Sequence, residues 1–238
     1  MARRSAGSAA GPNHLLQGLP PAERRRLDAG TTQFAMRSGS VLCEPGRRAR
    51  HVYFPHQGLI ALTMPSGIEV ASIGQEGMFG LPVLPGRPLS PMRAVVHDAG
   101  GAARFEAQAF LVLLERCPAL GRSLLRYANG LFCQLAQEVA CRSHHPLQAR
   151  LARLLLAIGD RRESDAFFST QASLARTLGV LRAAVSGTAS ELQRLRLIAY
   201  RRGAIRILDR HRLSSEACAC YDRADPVRRA VLHPEETS

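Results

Sequence analysis

The 238-residue sequence contains no lysine and no tryptophan, and aromatic residues make up only 5% of it. All 32 basic residues are therefore arginines, which against 19 acidic residues give a formal net charge of +13. A complete absence of lysine points to a compositional bias of the genome, so the distribution of charge says more about nucleic-acid binding than its total. With 46% hydrophobic and 21% charged residues, the chain is expected to fold around a packed core, which excludes the fully disordered, collagen-like and disulfide-dense classes.

Long hydrophobic runs and a secretion signal are also missing. No stretch approaches about eighteen apolar residues, so we expect no membrane span. Residues 1–13 begin with basic residues and continue with small polar ones, which predicts a flexible arm and a cytoplasmic protein. We expect a second flexible tail at residues 222–238.

The Cys-x-x-Cys spacing that is typical of metal and redox sites does not occur. The six cysteines are Cys43, Cys117, Cys133, Cys141, Cys218 and Cys220. Thiols stay reduced in the cytoplasm, so we expect buried free thiols. An iron–sulfur cluster needs about four grouped cysteines, and Cys43 stands alone in the N-terminal part, so no such cluster is expected. Adjacent side chains on a helix point apart, so we interpret His144 and His145 as a hinge cap and expect no metal site.

Residues 31–105 alternate short runs of β-forming residues with glycine and proline. The predicted strands are residues 32–36, 41–43, 51–54, 59–64, 68–73, 93–96 and 102–105. Turns are indicated between them, including one at Asp98-Ala99-Gly100-Gly101. Many short strands at this spacing are typical of a β-sandwich or barrel.

After residue 105 the apolar period changes to about 3.6 residues, which indicates helices over residues 107–115, 118–143 and 147–158. The long middle helix has apolar residues at steps of four, three, four and four: Leu124, Ala128, Leu131, Leu135 and Val139. This stripe predicts a dimer seam, and Leu125 and Phe132 form a second apolar edge beside it. The alternative is a helix that packs only within its own domain.

Positive charge is concentrated in residues 168–212, a segment that contains nine arginines and only two acidic residues. Thr170 is a suitable N-cap for a helix over residues 171–178, and Gly179 follows that helix as a left-handed terminus requires. A second helix is predicted to begin near Leu181. Its buried face is predicted to contain Val185, Ala189 and Leu192. This arrangement is typical of a helix-turn-helix, whose second helix enters the major groove of DNA.

Two β-forming runs, residues 197–200 and 204–208, follow the second helix and enclose Arg201-Arg202-Gly203. They predict a basic hairpin, or wing, whose arginines contact phosphates. The alternative is an ordinary helical bundle with a solvated basic face.

Together these features resemble the CRP/FNR superfamily of transcription regulators (cyclic-AMP receptor protein and fumarate–nitrate reduction regulator). The resemblance depends on the run from Thr170 to Ile198 and on Tyr200-Arg201-Arg202-Gly203. In the N-terminal part it depends on Gly46, Tyr53-Phe54-Pro55, Gly58 and Gly74-Gln75-Glu76-Gly77-Met78-Phe79-Gly80. It implies an α+β fold: an N-terminal β-roll sensor, or cyclic-nucleotide-binding-like jelly roll, at residues 14–117, a long dimerisation helix at 118–145, and a C-terminal winged helix-turn-helix at 146–221.

The resemblance also implies partners, namely double-stranded DNA, RNA polymerase and a second copy of the chain in a homodimer. The implied DNA-contacting residues are Thr170, Gln171, Leu181, Arg182, Ala183, Ser186, Gly187, Arg201, Arg202 and Arg206. Ala183 stands where the family commonly has an acidic residue, and Gly187 where it has a second arginine. An arginine–guanine contact contributes about 1–3 kcal/mol of discrimination, so we expect weaker operator reading here than is typical of the family.

The resemblance further implies an effector pocket in the β-roll. Its residues would be Gly74, Glu76, Gly77, Met78, Arg93 and Ala94. In nucleotide-binding relatives an Arg-Ser/Thr-Ala element neutralises the cyclic phosphate, whereas here Arg93 directly precedes Ala94 and the hydroxyl residue is missing. Pro91 also removes an amide donor. We therefore expect no cyclic nucleotide and no certain cofactor, but a different small ligand or none.

The sequence thus predicts a DNA-binding transcription regulator whose dimer reads a palindromic operator and responds to a signal sensed in the β-roll. The alternative is a ligand- or partner-binding dimer whose DNA-binding module has degenerated. An enzyme is not expected, because the His-x-His pair that metal-dependent cupin chemistry needs does not occur.

Overall fold

The computed structural model describes residues 13–84, 89–162 and 164–221. These residues form two compact units, one made of residues 13–66 and 70–131, the other of residues 67–69 and 132–221. The boundary falls inside a long helix, and the predicted assignment of residues 118–145 to a domain of their own stays a prediction.

The predicted flexible tails lie outside the described residues, with the exception of Asn13. Asn13 is buried, and its side-chain amide donates hydrogen bonds of 2.8 Å to the carbonyl oxygens of Pro55 and Gly77. Its side-chain oxygen also accepts from the Leu15 N–H and so caps the first helix. The prediction that the arm extends to residue 13 is therefore wrong.

The N-terminal unit is a β-roll flanked by helices. Its strands are β1 (Thr32–Met36), β2 (Val41–Cys43), β3 (His51–Thr63), β4 (Glu69–Ile73) and β5 (Arg93–Glu106). The sheet order is β1-β5-β3-β4, and β2 also pairs with β5. Its helices are α1 (His14–Gln17), α2 (Pro21–Gly30), α3 (Ala107–Glu115) and α4 (Pro118–His144), of which α4 continues into the second unit.

Strands β3 and β5 each join two segments that the sequence predicts as separate strands. The turn predicted at residues 98–101 is wrong, because β5 runs through it and pairs antiparallel with β3 across several register shifts. Glycine is required here by close approach of the two strands and not by a chain reversal. A Cβ on Gly100 would overlap the carbonyl group of Gln57, and one on Gly101 would overlap the His56 ring.

Aromatic packing forms the centre of the β-roll. The rings of Phe54, Phe105 and Phe110 meet at centroid distances of 5.6–5.8 Å, and all three side chains are buried. Tyr127 of α4 is also buried, and its hydroxyl donates a 3.0 Å hydrogen bond to the Met78 carbonyl oxygen. Burial raises the pKa of Tyr127 far above its ordinary value, so this donor stays protonated.

Helix α4 begins at a proline whose missing N–H costs nothing in the first turn. The buried carboxylate of Glu23 accepts hydrogen bonds of 3.0 Å from the Ala119 and Leu120 N–H groups. A carboxylate at a helix N-terminus also interacts favourably with the helix dipole. These contacts explain why the long helix begins at Pro118.

The stripe predicted as the dimer seam divides between the two sides of α4. Leu124 and Leu131 are buried within a single chain, which does not fit a place in a seam between chains. The most exposed apolar side chains of α4 are instead Leu125 (73%) and Phe132 (70%) of the second edge, together with Val139 (66%) at the end of the predicted stripe. Ala128 and Leu135 are half-buried. Steps of four, three, four and four rotate the predicted stripe by about 60° over its length, from the chain's own core towards the exposed side.

The C-terminal unit is a small helical domain with a three-stranded sheet. Its elements after α4 are α5 (Leu147–Arg162), β6 (Ala166–Phe168), α6 (Gln171–Leu178), α7 (Arg182–Arg194), β7 (Ile198–Arg201), β8 (Ala204–Ile207) and α8 (Arg210–Glu216). The sheet order is β6-β8-β7, and both pairings are antiparallel. The sequence did not predict β6, which at three residues is too short to show a period. No helix in the described part of the chain has the length and apolar character that a membrane span requires.

The described cysteines are all free thiols. Five of them are buried: Cys43, Cys117, Cys141, Cys218 and Cys220. The expectation of burial is wrong for Cys133, which is exposed on α4. Cys141, Cys218 and Cys220 form a small cluster of their own, separate from the main core of the C-terminal unit.

Candidate nucleic-acid interface

A tight turn joins α6 to α7. Thr170 caps α6, and its hydroxyl accepts a 3.1 Å hydrogen bond from the Ser173 N–H. Gly179 ends α6 in the left-handed conformation, at φ 66° and ψ 40°, and the Val180 N–H donates back to the Ala175 carbonyl oxygen at 3.0 Å. A glycine adopts this backbone without the steric cost that a side chain would add.

Packing of α6 against α7 fixes which face of α7 is exposed. The predicted inner face of α7 is confirmed, since Val185, Ala189 and Leu192 are all buried. They join a core that includes Leu174, Ala175 and Leu178 of α6. Because these residues take one face of α7, the opposite face is left exposed along its length.

The exposed face of α7 carries most of the predicted base-reading residues. Arg182, Ala183 and Gly187 are exposed, and Ser186 is half-buried. Gln171 of α6 donates a 3.2 Å hydrogen bond to the Ser186 hydroxyl and lies 3.5 Å from Nε of Arg182. The second distance is at the limit of a hydrogen bond, so the Arg182 side chain can leave it at little cost.

The wing is a two-residue hairpin between β7 and β8. Arg202 and Gly203 have φ values of 51° and 88°, as the primed turns of tight hairpins require. A Cβ on Gly203 would lie 2.5 Å from the Phe168 ring, so the turn has room only for glycine. The Arg201, Arg202 and Arg206 side chains are all exposed around this turn.

Hydrogen bonds tie the wing to its neighbours. The Gln193 side chain of α7 accepts a 2.8 Å hydrogen bond from the Tyr200 N–H at the edge of β7. The Tyr200 hydroxyl donates to the Ser169 carbonyl oxygen at 3.0 Å, and burial raises the pKa of Tyr200 and keeps this donor protonated. The sequence does not assign Gln193 or Tyr200 to the interface: Gln193 has no local signal, and Tyr200 enters only as the first residue of the Tyr200-Arg201-Arg202-Gly203 motif.

These elements enclose an open concave surface with a volume of about 520 Å³. Of the residues predicted to contact DNA, those that line it are Thr170, Gln171, Arg182, Ser186 and Arg202. The predicted residues outside its lining are Leu181, Ala183, Gly187, Arg201 and Arg206. Leu181 is the N-cap residue of α7, and its 80% exposed side chain makes no capping hydrogen bond.

Charge on this surface is mostly unneutralised. Among the described residues, Arg194 pairs with Glu191 at 2.6 Å, an interaction that lowers the pKa of the glutamate. No ion pair within the described ranges involves Arg182 or the three wing arginines. Unpaired guanidinium groups on one surface suit a polyanion, because arginine binds phosphate and guanine in a bidentate manner.

The residues predicted to form an effector pocket have structural partners. The Glu76 carboxylate accepts a 2.9 Å hydrogen bond from the Gly74 N–H. Arg93 instead pairs with Glu44 at 3.1 Å on the exposed surface. Gly77 packs against the Tyr127 ring, and a Cβ added to this glycine would lie 2.7 Å from the ring. Met78 and Ala94, the other two residues, are buried in the roll.

Comparison with known protein families matches both parts of the chain. A model of the cyclic nucleotide-binding domain matches residues 33–117, and a model of the Crp-like helix-turn-helix domain matches residues 149–216. Together these models cover more than half of the chain. No curated protein matches it.

Several solved structures share the fold. FixK2 from Bradyrhizobium japonicum is 18% identical, covers 79% of this chain and 98% of its own, and has a TM-score of 0.68. CLP, a c-di-GMP-responsive global regulator from Xanthomonas campestris, is 13% identical, with coverages of 79% and 99% and a TM-score of 0.67. A CRP/FNR-family regulator from Thermus thermophilus is 18% identical, with coverages of 78% and 98% and a TM-score of 0.60. With both domain models in this order and this shared fold, the chain belongs to the CRP/FNR superfamily of transcription regulators.

Proposed function

We propose that this chain regulates transcription as a homodimer, with α7 in the major groove of a palindromic operator and the wing on the adjacent phosphates. The observation that supports this proposal best is that Arg182 and the wing arginines Arg201, Arg202 and Arg206 are exposed and unpaired within the described residues. Regulators of this superfamily bind DNA and act as dimers. RNA polymerase is the further partner that we propose on the same basis.

Reading of bases is assigned chiefly to Arg182. It lies in the first turn of α7, where recognition helices contact base edges, and within the described residues one weak hydrogen bond to Gln171 holds its side chain. Ala183 and Gly187 offer no side-chain donors on the same face. We therefore propose that affinity comes mainly from phosphate contacts and that discrimination between sequences is modest.

Dimerisation is assigned to the exposed edge of α4. Leu125, Phe132 and Val139 recur every seven residues, which is the spacing of a coiled-coil seam. From Leu125 to Val139 this edge extends over about 21 Å. Two copies of α4 packed along it would remove three large apolar side chains per chain from water, and would bring two recognition helices to one duplex.

Effector sensing is proposed to use chemistry other than a cyclic phosphate bound to Arg93. The guanidinium of Arg93 has a carboxylate partner in Glu44, and the sequence lacks the neighbouring hydroxyl residue. In a titration of the dimer with cyclic AMP, we expect no saturable heat. Saturable binding that Arg93→Ala abolishes would contradict this expectation.

The decisive test of DNA reading compares specific with random DNA. Duplexes selected from a random pool by the wild-type protein provide the specific sequence. Arg182→Ala should weaken binding to it by about 1–3 kcal/mol and weaken binding to random duplex much less. Arg212→Ala is the matched control, because Arg212 is exposed on α8 and is not among the residues lining the concave surface.

Equal losses on both duplexes would mean that Arg182 contacts phosphate alone. Failure of the wild-type protein to enrich any sequence would favour the second candidate, a partner-binding dimer with a degenerated DNA-binding module. The exposed Ala183 and Gly187, where the family has charged residues, favour that candidate.

A further inference from the structure

Four side chains with metal-binding atoms meet in the C-terminal unit, away from the DNA-binding surface. They are Cys141, His145, Cys218 and Cys220, and their sulfur and ring nitrogen atoms all lie within 4.8 Å of one another. Cys141 lies in the last turn of α4 and His145 directly follows that helix, whereas Cys218 and Cys220 lie in the segment just after α8. The three cysteines are buried and the histidine is half-buried.

The distances within this cluster resemble the edges of a tetrahedral metal site. Sγ of Cys141 lies 3.6 Å from Sγ of Cys218, and Sγ of Cys220 lies 3.6 Å from Nδ1 of His145. Zinc–sulfur bonds of about 2.3 Å and zinc–nitrogen bonds of about 2.0–2.1 Å give tetrahedral edges of roughly 3.8 Å between sulfurs and 3.5 Å between sulfur and nitrogen. The two observed pairs fit these values, so a small inward movement of the remaining atoms completes the coordination sphere.

Local packing does not account for the cluster as an apolar core. Among the described residues, the apolar side chain outside the cluster that packs against the three cysteines is the small one of Ala149. Cys141 and His145 are four residues apart, so they lie on the same side of the helix end. The Gln137 amide donates a 2.9 Å hydrogen bond to Sγ of Cys220, a contact that supports a thiolate at that position.

Charge around the cluster is also suitable. Three thiolates and one divalent cation leave a net charge of −1. Arg153 lies close enough to Cys141 and Cys218 to interact electrostatically with both, although it also pairs with Glu138 at 2.7 Å. A nearby cation of this kind stabilises an anionic metal–thiolate group.

We propose that Cys141, His145, Cys218 and Cys220 bind one thiophilic metal ion, Zn²⁺, in a Cys₃His site. A tetrahedral set of three sulfurs and one imidazole, with no position left for water, is typical of structural zinc. Binding transfers the three thiol protons to solvent and breaks no other bond. The ion fastens the segment after α8 to the end of α4, at the point where the long helix meets the winged domain.

The test uses the full-length protein reduced, stripped of metal and titrated with Co²⁺. We expect a stoichiometry of about one ion per chain, with the intense visible bands of tetrahedral cobalt and a thiolate charge-transfer band in the near ultraviolet. Zn²⁺ should displace cobalt and remove both features. Cys218→Ser and His145→Ala should weaken binding by more than about tenfold.

Two neighbouring residues provide matched controls. Cys133 is an exposed cysteine on the same helix, and His144 is the exposed histidine next to His145. Cys133→Ser and His144→Ala should bind cobalt as the wild-type protein does. If these controls lose the metal as completely as Cys218→Ser and His145→Ala, the site is misassigned.

The wild-type protein alone also decides the matter, even if a variant fails to fold. A titration without thiolate charge-transfer bands overturns the proposal. A Cys141–Cys218 disulfide that persists after purification under reducing conditions also overturns the proposal. Mass spectrometry would detect it as a mass two hydrogens below that of the fully reduced chain. Thermal unfolding provides a second readout, since the metal-loaded protein should unfold at a higher temperature than the chelator-treated protein.

Discussion

The β-roll and the winged helix-turn-helix domain differ in whether the residues predicted to contact a ligand already have hydrogen-bond or ion-pair partners within the chain. In the roll, Arg93 pairs with Glu44 and Glu76 binds the backbone of its own loop. In the winged domain, Arg182 has one weak contact, and the wing arginines have no carboxylate partner in the described ranges. Positions predicted to contact a ligand can thus have internal partners in one domain of a chain while those in another domain stay available.

The same contrast divides helix α4. Leu124 and Leu131 are buried in the chain's own core, whereas Leu125 and Phe132 are exposed. Substitutions of residues that are buried or paired within the chain should therefore change its folding stability. Substitutions of exposed residues should change its binding to a second copy or to DNA.

The largest effect is expected at the exposed edge of α4. Burial of a large apolar side chain contributes about 1.5–3 kcal/mol, so the double variant Leu125→Glu/Phe132→Glu should cost a two-fold interface roughly 6 kcal/mol. That corresponds to about a 10⁴-fold rise in the dimer dissociation constant, measured by sedimentation. Val112→Glu, an exposed apolar position on α3, is the control and should stay dimeric. A double variant that remains dimeric would mean that the chains associate elsewhere.

The second-largest effect is expected at Gly77, the glycine of the β-roll that packs against Tyr127. In Gly77→Ala the new Cβ would lie 2.7 Å from the Tyr127 ring, so the ring must move out of a well-packed site. We expect the free energy of unfolding to fall by about 2–3 kcal/mol in a denaturant titration. Gly39→Ala is a poor control because of its positive φ, whereas Gly121→Ala has room and a helical backbone. A neutral Gly77→Ala would show that this loop is not held by the packing described here.

A smaller effect of opposite sign is expected at the exposed Gly187. A Cβ there meets no atom within 4 Å, and glycine inside a helix costs about 1 kcal/mol relative to alanine. Gly187→Ala should therefore raise the free energy of unfolding by about that amount. Gly187→Arg should in addition tighten binding to DNA, measured by fluorescence anisotropy. A loss of stability in Gly187→Ala would contradict the exposed orientation of this face.

The smallest effect is expected at the Arg93–Glu44 pair. Both side chains are about half exposed, and ion pairs at such sites contribute at most about 1 kcal/mol. Arg93→Ala should change the free energy of unfolding by less than this amount and leave DNA binding unchanged. A large change in DNA affinity would indicate that Arg93 acts in signalling, against the assignment made here.

Elements with strong local signals were predictable from the sequence. The sequence predicts α6 with its observed bounds because the cap at Thr170 and the glycine at Gly179 are both local. The sequence divides β5 wrongly because Gly100 and Gly101 resemble a turn, although they allow close approach of a partner strand far away in the sequence. Local patterns cannot distinguish these two uses of glycine.

The functional surfaces show the same division. The exposed face of α7 followed from its own helical period, and Val185, Ala189 and Leu192 are buried as predicted. The cysteine–histidine cluster was not predicted, because its two halves are 73 or more residues apart and neither has the spacing of a familiar metal motif. Only the packing of the segment after α8 on the end of α4 brings these residues together.

The most direct test of DNA binding is the dependence of affinity on salt concentration. The three wing arginines, Arg201, Arg202 and Arg206, have no ion pair within the described part of the chain and give six phosphate-reaching cations in a dimer. If each releases one counterion, they contribute about −5 to the slope of the logarithm of the association constant for duplex DNA against the logarithm of salt concentration. The triple variant Arg201→Ala/Arg202→Ala/Arg206→Ala should make the slope shallower by about 5. A shallow wild-type slope, or one that the triple variant leaves unchanged, would contradict the assignment of this surface to DNA.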